Sequence, residues 1–398
     1  MEMPAKRAAH MAIFFTVLID LIGFGILIPI LQPFAKRIGA SVPEAMMLMG
    51  IYSLMQFVFS PIVGRISDRV GRRPVIIASL IGSMLGYIII AVAANYTGVF
   101  AIAMLYLARV VTGVCGASFS TAQASLADIT APEKRAAVMG MIGAAFGLGF
   151  VLGPIIGGLT SHTPLGPSLP FYIAAAMSLA NAVFCWKKLP ETLPPERRSQ
   201  VRRRSSILAT VRRMAPTGFP VILACNFLVI TGFSIMTTAW VLFLMERFAF
   251  SEMKVGLLFG FIGIIAIVIQ GGLIRRMVKH GNEQKLALMG AVLMTASLAL
   301  LPVATPWLTL LAVSAIMSAG NSFTTPTLNA LASKCGTVQT QGETMGAMTG
   351  VGSLGRFLGP FMAAGLLLLC PGKFEYAFWL AAGIMALATA TIAMIRRK

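Results

Sequence analysis

Apolar runs long enough to cross a bilayer recur twelve times along this chain of 398 residues. A helix spanning the hydrocarbon core needs about 20 predominantly apolar residues. The runs fall at roughly 11–34, 45–64, 74–94, 98–127, 136–160, 169–186, 217–245, 253–274, 285–304, 307–332, 344–370 and 373–395. Only 11% of the residues are charged, against roughly 25% in an ordinary soluble domain. A water-soluble enzyme is thereby excluded. The predicted fold class is an all-α polytopic membrane protein, and the 39 Gly and 21 Pro suit it, because membrane helices tolerate both.

The stretch from Lys187 to Pro216 is the only long break. It divides the chain into a six-helix bundle (1–186), a linker (187–216) and a second six-helix bundle (217–398). The linker carries Lys187, Lys188, Arg197, Arg198, Arg202, Arg203, Arg204, Arg212 and Arg213, and reads as a solvated tether. The net charge of +19 would signal nucleic acid if the cations shared a reachable face. They are instead sorted by loop. With both termini on one side, 25 of the 32 Lys and Arg fall there and five on the other (Lys36, Arg37, Arg247, Lys254, Lys373), while Arg109 and Arg356 lie within spans. The positive-inside rule then predicts cytoplasmic termini in a bacterial inner or plasma membrane. The cationic face meets anionic lipid, and nucleic acid is not expected as a partner. The first run is too long for a signal peptide and holds Asp20, so it reads as an uncleaved first helix. Five cysteines without a CxxC make a disulfide framework or zinc ribbon unexpected. No metal or cofactor is expected, and the chain is expected to act as a monomer.

The two halves share an internal repeat. Gly116-Ala117-Ser118-Phe119-Ser120-Thr121 in the fourth span matches Gly320-Asn321-Ser322-Phe323-Thr324-Thr325 in the tenth, at an offset of 204. Leu148-Gly149, Leu152-Gly153 and Pro154 in the fifth recur as Leu354-Gly355, Leu358-Gly359 and Pro360 in the eleventh, at an offset of 206. Duplication of a six-helix unit leaves this pattern, and parallel repeats place a substrate site near the midplane. Recurrence of small residues in any packed membrane helix is the competing explanation.

Thirteen acidic residues permit elimination. Glu2, Asp68, Asp128, Glu133, Glu191, Glu196, Glu283 and Glu343 fall near the expected cytoplasmic face, and Glu44, Glu246, Glu252 and Glu375 near the other. Asp20 alone is deep, about 14 Å into its helix at 1.5 Å per residue. A carboxylate there is costly unless paired or protonated. Two readings stand open: a reversible proton carrier, or a packing Asp bonded to neighbouring backbone. Arg109 is the cation at matching depth. With Thr112, Gly113, Gly116, Ser120 and Gln123 it follows the spacing of one helical face, which should line a cavity or a close helix contact. Arg356 is peculiar to the second half, since its repeat counterpart is Phe150; it holds an anionic substrate group or braces helices. Gln56, Asn226, Trp240, Gln270 and Asn321 are further cavity candidates, each equally readable as a packing polar group. His10, His162 and His280 sit at span edges, with no nucleophile–base pair, so no enzyme activity is expected.

The most specific local signal is Gly64-Arg65-Ile66-Ser67-Asp68-Arg69-Val70-Gly71-Arg72-Arg73-Pro74, between the second and third spans. Its counterpart, Gly272 through Gly281, keeps Arg275, Arg276 and Lys279 but has no Asp. This loop, Leu107-Ala108-Arg109-Val110-Val111-Thr112-Gly113, the run from Gly149 to Gly158 (Gly-Phe-Val-Leu-Gly-Pro-Ile-Ile-Gly-Gly), and Asp20 through Pro33 with Gly23, Gly25 and Pro29 together resemble the major facilitator superfamily. More narrowly, they resemble its twelve-helix drug:proton antiporters. The resemblance covers essentially the whole chain. It implies a cytoplasmic gate of Gly64, Asp68, Arg69, Gly71, Arg72, Arg73 and Asp128, and proton coupling through Arg109 with Asp20. It also implies an antiporter motif of Gly149, Gly153, Pro154, Gly157 and Gly158, whose glycine stripe would let the two halves meet or would pack within one half. Leu80-Ile81-Gly82 and Trp240-Val241-Leu242-Phe243 are similar to the tetracycline exporters. Those carry an acidic residue where this chain has Gly86, and another in the ninth span, whose interior here has none. The implied function is export of small amphipathic, drug-like compounds in exchange for protons by alternating access. The alternatives are a metabolite or siderophore exporter, an uncoupled facilitator and, from another class, a non-transporting membrane receptor or scaffold.

Overall fold

The computed structural model describes residues 3–130, 135–161, 163, 168–198, 207–277, 282–336 and 341–395. Glu2, Glu133, His162, Arg202, Arg203, Arg204, Lys279 and His280 lie outside them. The described residues are mainly helical, without strands. In chain order the helices are α1 (Met3–Leu27), α2 (Leu31–Arg37), α3 (Val42–Val70), α4 (Arg72–Ala93), α5 (Gly98–Gly116), α6 (Phe119–Asp128), α7 (Arg135–Thr160) and α8 (Leu169–Lys188). Then come α9 (Pro195–Arg198), α10 (Ile207–Met214), α11 (Phe219–Phe248), α12 (Glu252–Val268), α13 (Ile274–Met277), α14 (Glu283–Leu300), α15 (Trp307–Cys335), α16 (Gln341–Leu369) and α17 (Phe374–Ala393). Eleven membrane-length apolar segments and the shorter Gly147–Thr160 cover all twelve predicted spans.

Three spans are interrupted, each for a local reason. The first breaks at 28–30, where Pro29 has no N–H to donate and Ile28 and Ile30 turn onto Gly25 and Leu27. The fourth breaks at 117–118, separating α5 from α6. The eighth passes through a π-helical turn, Ile269–Leu273, that contains Gly271 and Gly272. At the start of α3, Ser41 and Glu44 form a reciprocal capping box.

Two compact units emerge: Met1–Arg202 with Leu244–Gly260, and Arg203–Phe243 with Phe261–Lys398. In the first, α1 packs on α7 and α8, and α4 packs on α5 and α8. In the second, α14 packs on α15 and α17, while Gly355 and Gly359 of α16 lie against Thr231 and Ser234 of α11. Each second-unit contact joins the helices that the repeat pairs with a first-unit contact. The duplication read from short motifs is thus repeated in helix packing. Buried apolar side chains such as Ile26, Leu31, Phe34 and Phe171 fill the first unit. The linker is less of a tether than its composition suggests: Leu189 and Leu193 are buried, because the chain after α8 folds back beneath α4.

Candidate functional site

Arg109, on α5, is 1% exposed. Its Nε donates to the Leu48 carbonyl at 3.1 Å, and its guanidinium lies 4.4 Å above the Tyr52 ring. Nη1 and Nη2 find no hydrogen-bond partner among the described residues. Buried charged donors left without partners are expensive, so this arrangement stores an unmet demand for an acceptor.

Asp20 does not meet it. No ion pair joins Asp20 to Arg109 among the described residues; the matching depth read from the sequence is not contact. The half-buried Asp20 instead lines a cavity of about 20 Å³ with Thr16, Val17, Ile76, Leu80, Ser118, Phe119 and Ala122. That is room for about one water molecule. The break at 117–118 brings Ser118 to the cavity wall. Tyr87 of α4 is buried and within electrostatic reach of both Asp20 and Arg109. Tyr52 and Tyr87 were missed in the sequence. Six tyrosines are few enough that those facing a mid-span charge were a searchable signal.

The face predicted from Arg109 onward holds only as far as the helix break. Gly113 and Gly116 lie tight against Tyr52 of α3; an added Cβ would come 2.6 Å from the Tyr52 carbonyl and 2.5 Å from its hydroxyl, respectively. Gln56 Nε2 donates to the Gly116 carbonyl at 3.1 Å, satisfying backbone freed by the break. Ser120 and Gln123 lie beyond it, on α6.

At one end of the first unit residues 64–74, which form the end of α3, Gly71 and the first turn of α4 rather than a loop, are drawn into a network. Arg72 Nη1 donates to Asp68 and to Ser67 Oγ at 2.7 Å, and Arg72 Nε donates to Asp128 at 3.0 Å. Asp68, Arg72 and Asp128 are therefore brought together, as predicted; Arg69 points outward and is exposed. Arg73 bonds the Trp186 carbonyl. The residue missed here is Glu191. Its carboxylate accepts the main-chain N–H groups of Arg72 (2.9 Å), Arg73 (3.2 Å) and Leu193 (2.9 Å), and so caps the N-terminus of α4. Gly71 has φ +108°, a left-handed conformation that favours glycine, and a Cβ there would collide with Glu191 and Arg198. The available signal was one of only two acids, Glu191 and Glu196, inside a basic stretch.

The glycine stripe of α7 packs on α1. A Cβ on Gly149 would stand 2.6 Å from Leu21 Cβ, one on Gly153 2.6 Å from Gly25 Cα, and one on Gly157 against the Ile26 carbonyl. This selects the packing-within-one-half reading for these three. The Pro154 ring also lies against Gly25 of α1, while its carbonyl and Gly158 meet Gly256 of α12, whose segment 244–260 belongs to the first unit. Lys36 pairs with Glu246 at 2.7 Å, and Arg37 pairs with the buried Glu252.

In the second unit, Asn226 Nδ2 donates to the Met348 carbonyl at 3.0 Å, Asn321 accepts from Thr325 within its own helix at 3.1 Å, and Trp240 is wholly buried. These three are held in packing. Gln270 is exposed, its Nε2 3.4 Å from Ser322 Oγ. Arg356 is half-buried and donates to Ser353 at 2.8 Å. A Cβ on Gly352 would lie 3.6 Å from Arg356 Nη1 and 3.7 Å from Asn226 Nδ2, so Arg356 and Asn226 converge on one glycine.

The sequence profile of the Major Facilitator Superfamily matches residues 13–360 and 279–398. The chain belongs to this superfamily. Among its relatives, the Escherichia coli tetracycline resistance protein, class B, is 31% identical over 344 residues, covering 84% of this chain and 81% of that protein. The Bos taurus major facilitator superfamily domain-containing protein 10 is 28% identical, covering 91% and 88%. The crystal structure of the human organic anion transporter MFSD10 (TETRAN) superposes with a TM-score of 0.74 at 24% identity, covering 97% of this chain and 99% of that one. The protein is a multi-pass membrane transporter, not an enzyme.

Gly86 marks a close approach of α4 to α5. A Cβ at that position would collide with Thr112 Cγ2 and stand 3.3 Å from the Ala108 carbonyl. Helices α4 and α5 are too close there for an acidic side chain.

Proposed function

We propose that the protein exports small amphipathic compounds in exchange for protons, by alternating access, from the cytoplasm across a bacterial inner membrane. Asp20 takes and releases the proton, and Arg109 senses its charge. The observation carrying this reading is the half-buried Asp20 carboxylate beside a water-sized cavity, with Tyr87 within electrostatic reach of both it and a partner-hungry Arg109 that is not bonded to it. A carboxylate held apart from its cation can exist neutral in one state and ionised against the cation in another, and that alternation is what coupling needs. The network of Asp68, Arg72 and Asp128 is the cytoplasmic latch, with both termini on that side against anionic lipid. The carrier works as a monomer without a cofactor.

A second reading is favoured by Arg356, a mid-span cation in a half whose spans hold no deep acidic residue. With Asn226 converging on Gly352, it suits a substrate bearing an anionic group, and the human relative is titled an organic anion transporter.

A toxicity profile of chemically varied compounds in an efflux-deficient host selects the cargo. In proteoliposomes, Asp20→Asn should then lose uphill transport of that compound under a pH gradient but keep equilibrium exchange. Full uphill transport by the variant sinks the coupling assignment. Retained transport of anions by Arg356→Gln sinks the second reading.

A further inference from the structure

We infer that the Glu283–Lys334 ion pair is the second unit's counterpart of the Arg72–Asp128 bond with the two charges exchanged, and that the exchange makes it a fixed brace whereas the first unit's bond is the one that opens. The positions correspond. Arg72 is the first residue of α4 and Glu283 the first of α14. Asp128 closes α6 and Lys334 lies in the last turn of α15, so the match is by helix end and not by residue offset. In each unit one charge bonds the start of the third span to the end of the fourth.

The signs matter because a helix favours anions at its N-terminus and cations at its C-terminus. In the first unit both charges oppose their helices: Arg72 sits at an N-terminus and Asp128 at a C-terminus. The opposition is offset by extra partners, with Asp68 and Ser67 on the Arg72 side chain and Glu191 on its main chain. In the second unit both charges agree with their helices. Glu283 is buried at an N-terminus and Lys334 reaches it from a C-terminus.

The helices carrying the charges differ in the same sense. Asp128 ends a separate ten-residue helix beyond the break at 117–118, which can tilt without moving α5. Lys334 lies in the last turn of a helix of 29 residues that runs through Pro326 without a break. That helix touches α14 backbone to backbone: a Cβ on Gly290 would lie 2.6 Å from the Gly320 carbonyl, and one on Gly320 2.7 Å from that of Gly290. The two helices carrying this bond have no break like that at 117–118.

The inference rests on alternating access, but its test does not need proton coupling or a known cargo. Hydrogen–deuterium exchange on the full-length protein in detergent should show the α6 segment and the first turn of α4 exchanging faster than the last turn of α15 and the first of α14. Glu283→Gln and Lys334→Gln should each lower the apparent Tm by about 2–4 °C. The double variant Glu283→Lys with Lys334→Glu keeps a pair but reverses it against both helices, so it should regain only part of that loss. Equal or slower exchange at the first unit's end in the wild-type protein overturns the brace-and-switch assignment, even if no variant folds. Full recovery of Tm by the swapped pair overturns the argument from helix polarity.

Discussion

Glu191 accepts the main-chain N–H of Arg72 at 2.9 Å, so the residue that holds Asp68 and Asp128 through its side chain is itself held through its backbone from 119 residues away. The bond serves two ends. It satisfies an N–H that the first turn of α4 cannot use internally, and it places a negative charge where both the helix and two adjacent arginines favour one.

Replacing Glu191 with Ala should therefore act on the Asp68–Arg72–Asp128 network without touching its charged side chains. Loss of a capping side chain costs about 0.5–2 kcal/mol, read as a lower apparent Tm. A cysteine introduced at Ile66 should label faster, because the segment is less tightly drawn in. Unchanged Tm and labelling would show that Glu191 is incidental to the segment.

Asp68→Asn should weaken the same network more directly. A hydrogen bond to a charged group contributes about 1.5–3 kcal/mol, and Arg72 retains Asp128 and Ser67. The variant should fold, with its conformational balance shifted toward cytoplasmic opening. Cysteine accessibility from both faces measures this; identical patterns in variant and wild type would remove Asp68 from the latch.

Gly153→Ala should be damaging although the change is one methyl group. The new Cβ would sit 2.6 Å from Gly25 Cα and 2.7 Å from its carbonyl carbon, which are backbone atoms unable to rotate away. Overpacking of this kind costs about 1–3 kcal/mol, so the expected result is lower Tm and reduced yield of folded protein. An Ala variant as stable as wild type would mean that α1 and α7 have freedom to separate.

Gly86→Asp should insert poorly, and Gly86→Asp with Thr112→Gly should recover. The relevant clash is with the Thr112 methyl, which the second substitution removes. Expression and size-exclusion profiles of the two variants test this. A well-folded single variant would show that α4 and α5 yield at this point.

What could be read in the chain by itself was whatever depends on local composition and spacing. Span count, the duplication, the motif from Gly64 to Pro74 and the isolation of Asp20 are all of this kind, since transfer of an apolar segment into a bilayer depends on that segment alone. Tertiary structure decided the partners: α1 for the glycine stripe, Glu191 for the first turn of α4, Tyr52 beneath Arg109, and separation of Asp20 from Arg109 despite equal depth. Depth along a helix follows from residue number. Rotation about its axis and choice of neighbour do not, because lipid-exposed and packed faces are both apolar. Only close approach, backbone to backbone at Gly25 and Gly153, selects one face over the other.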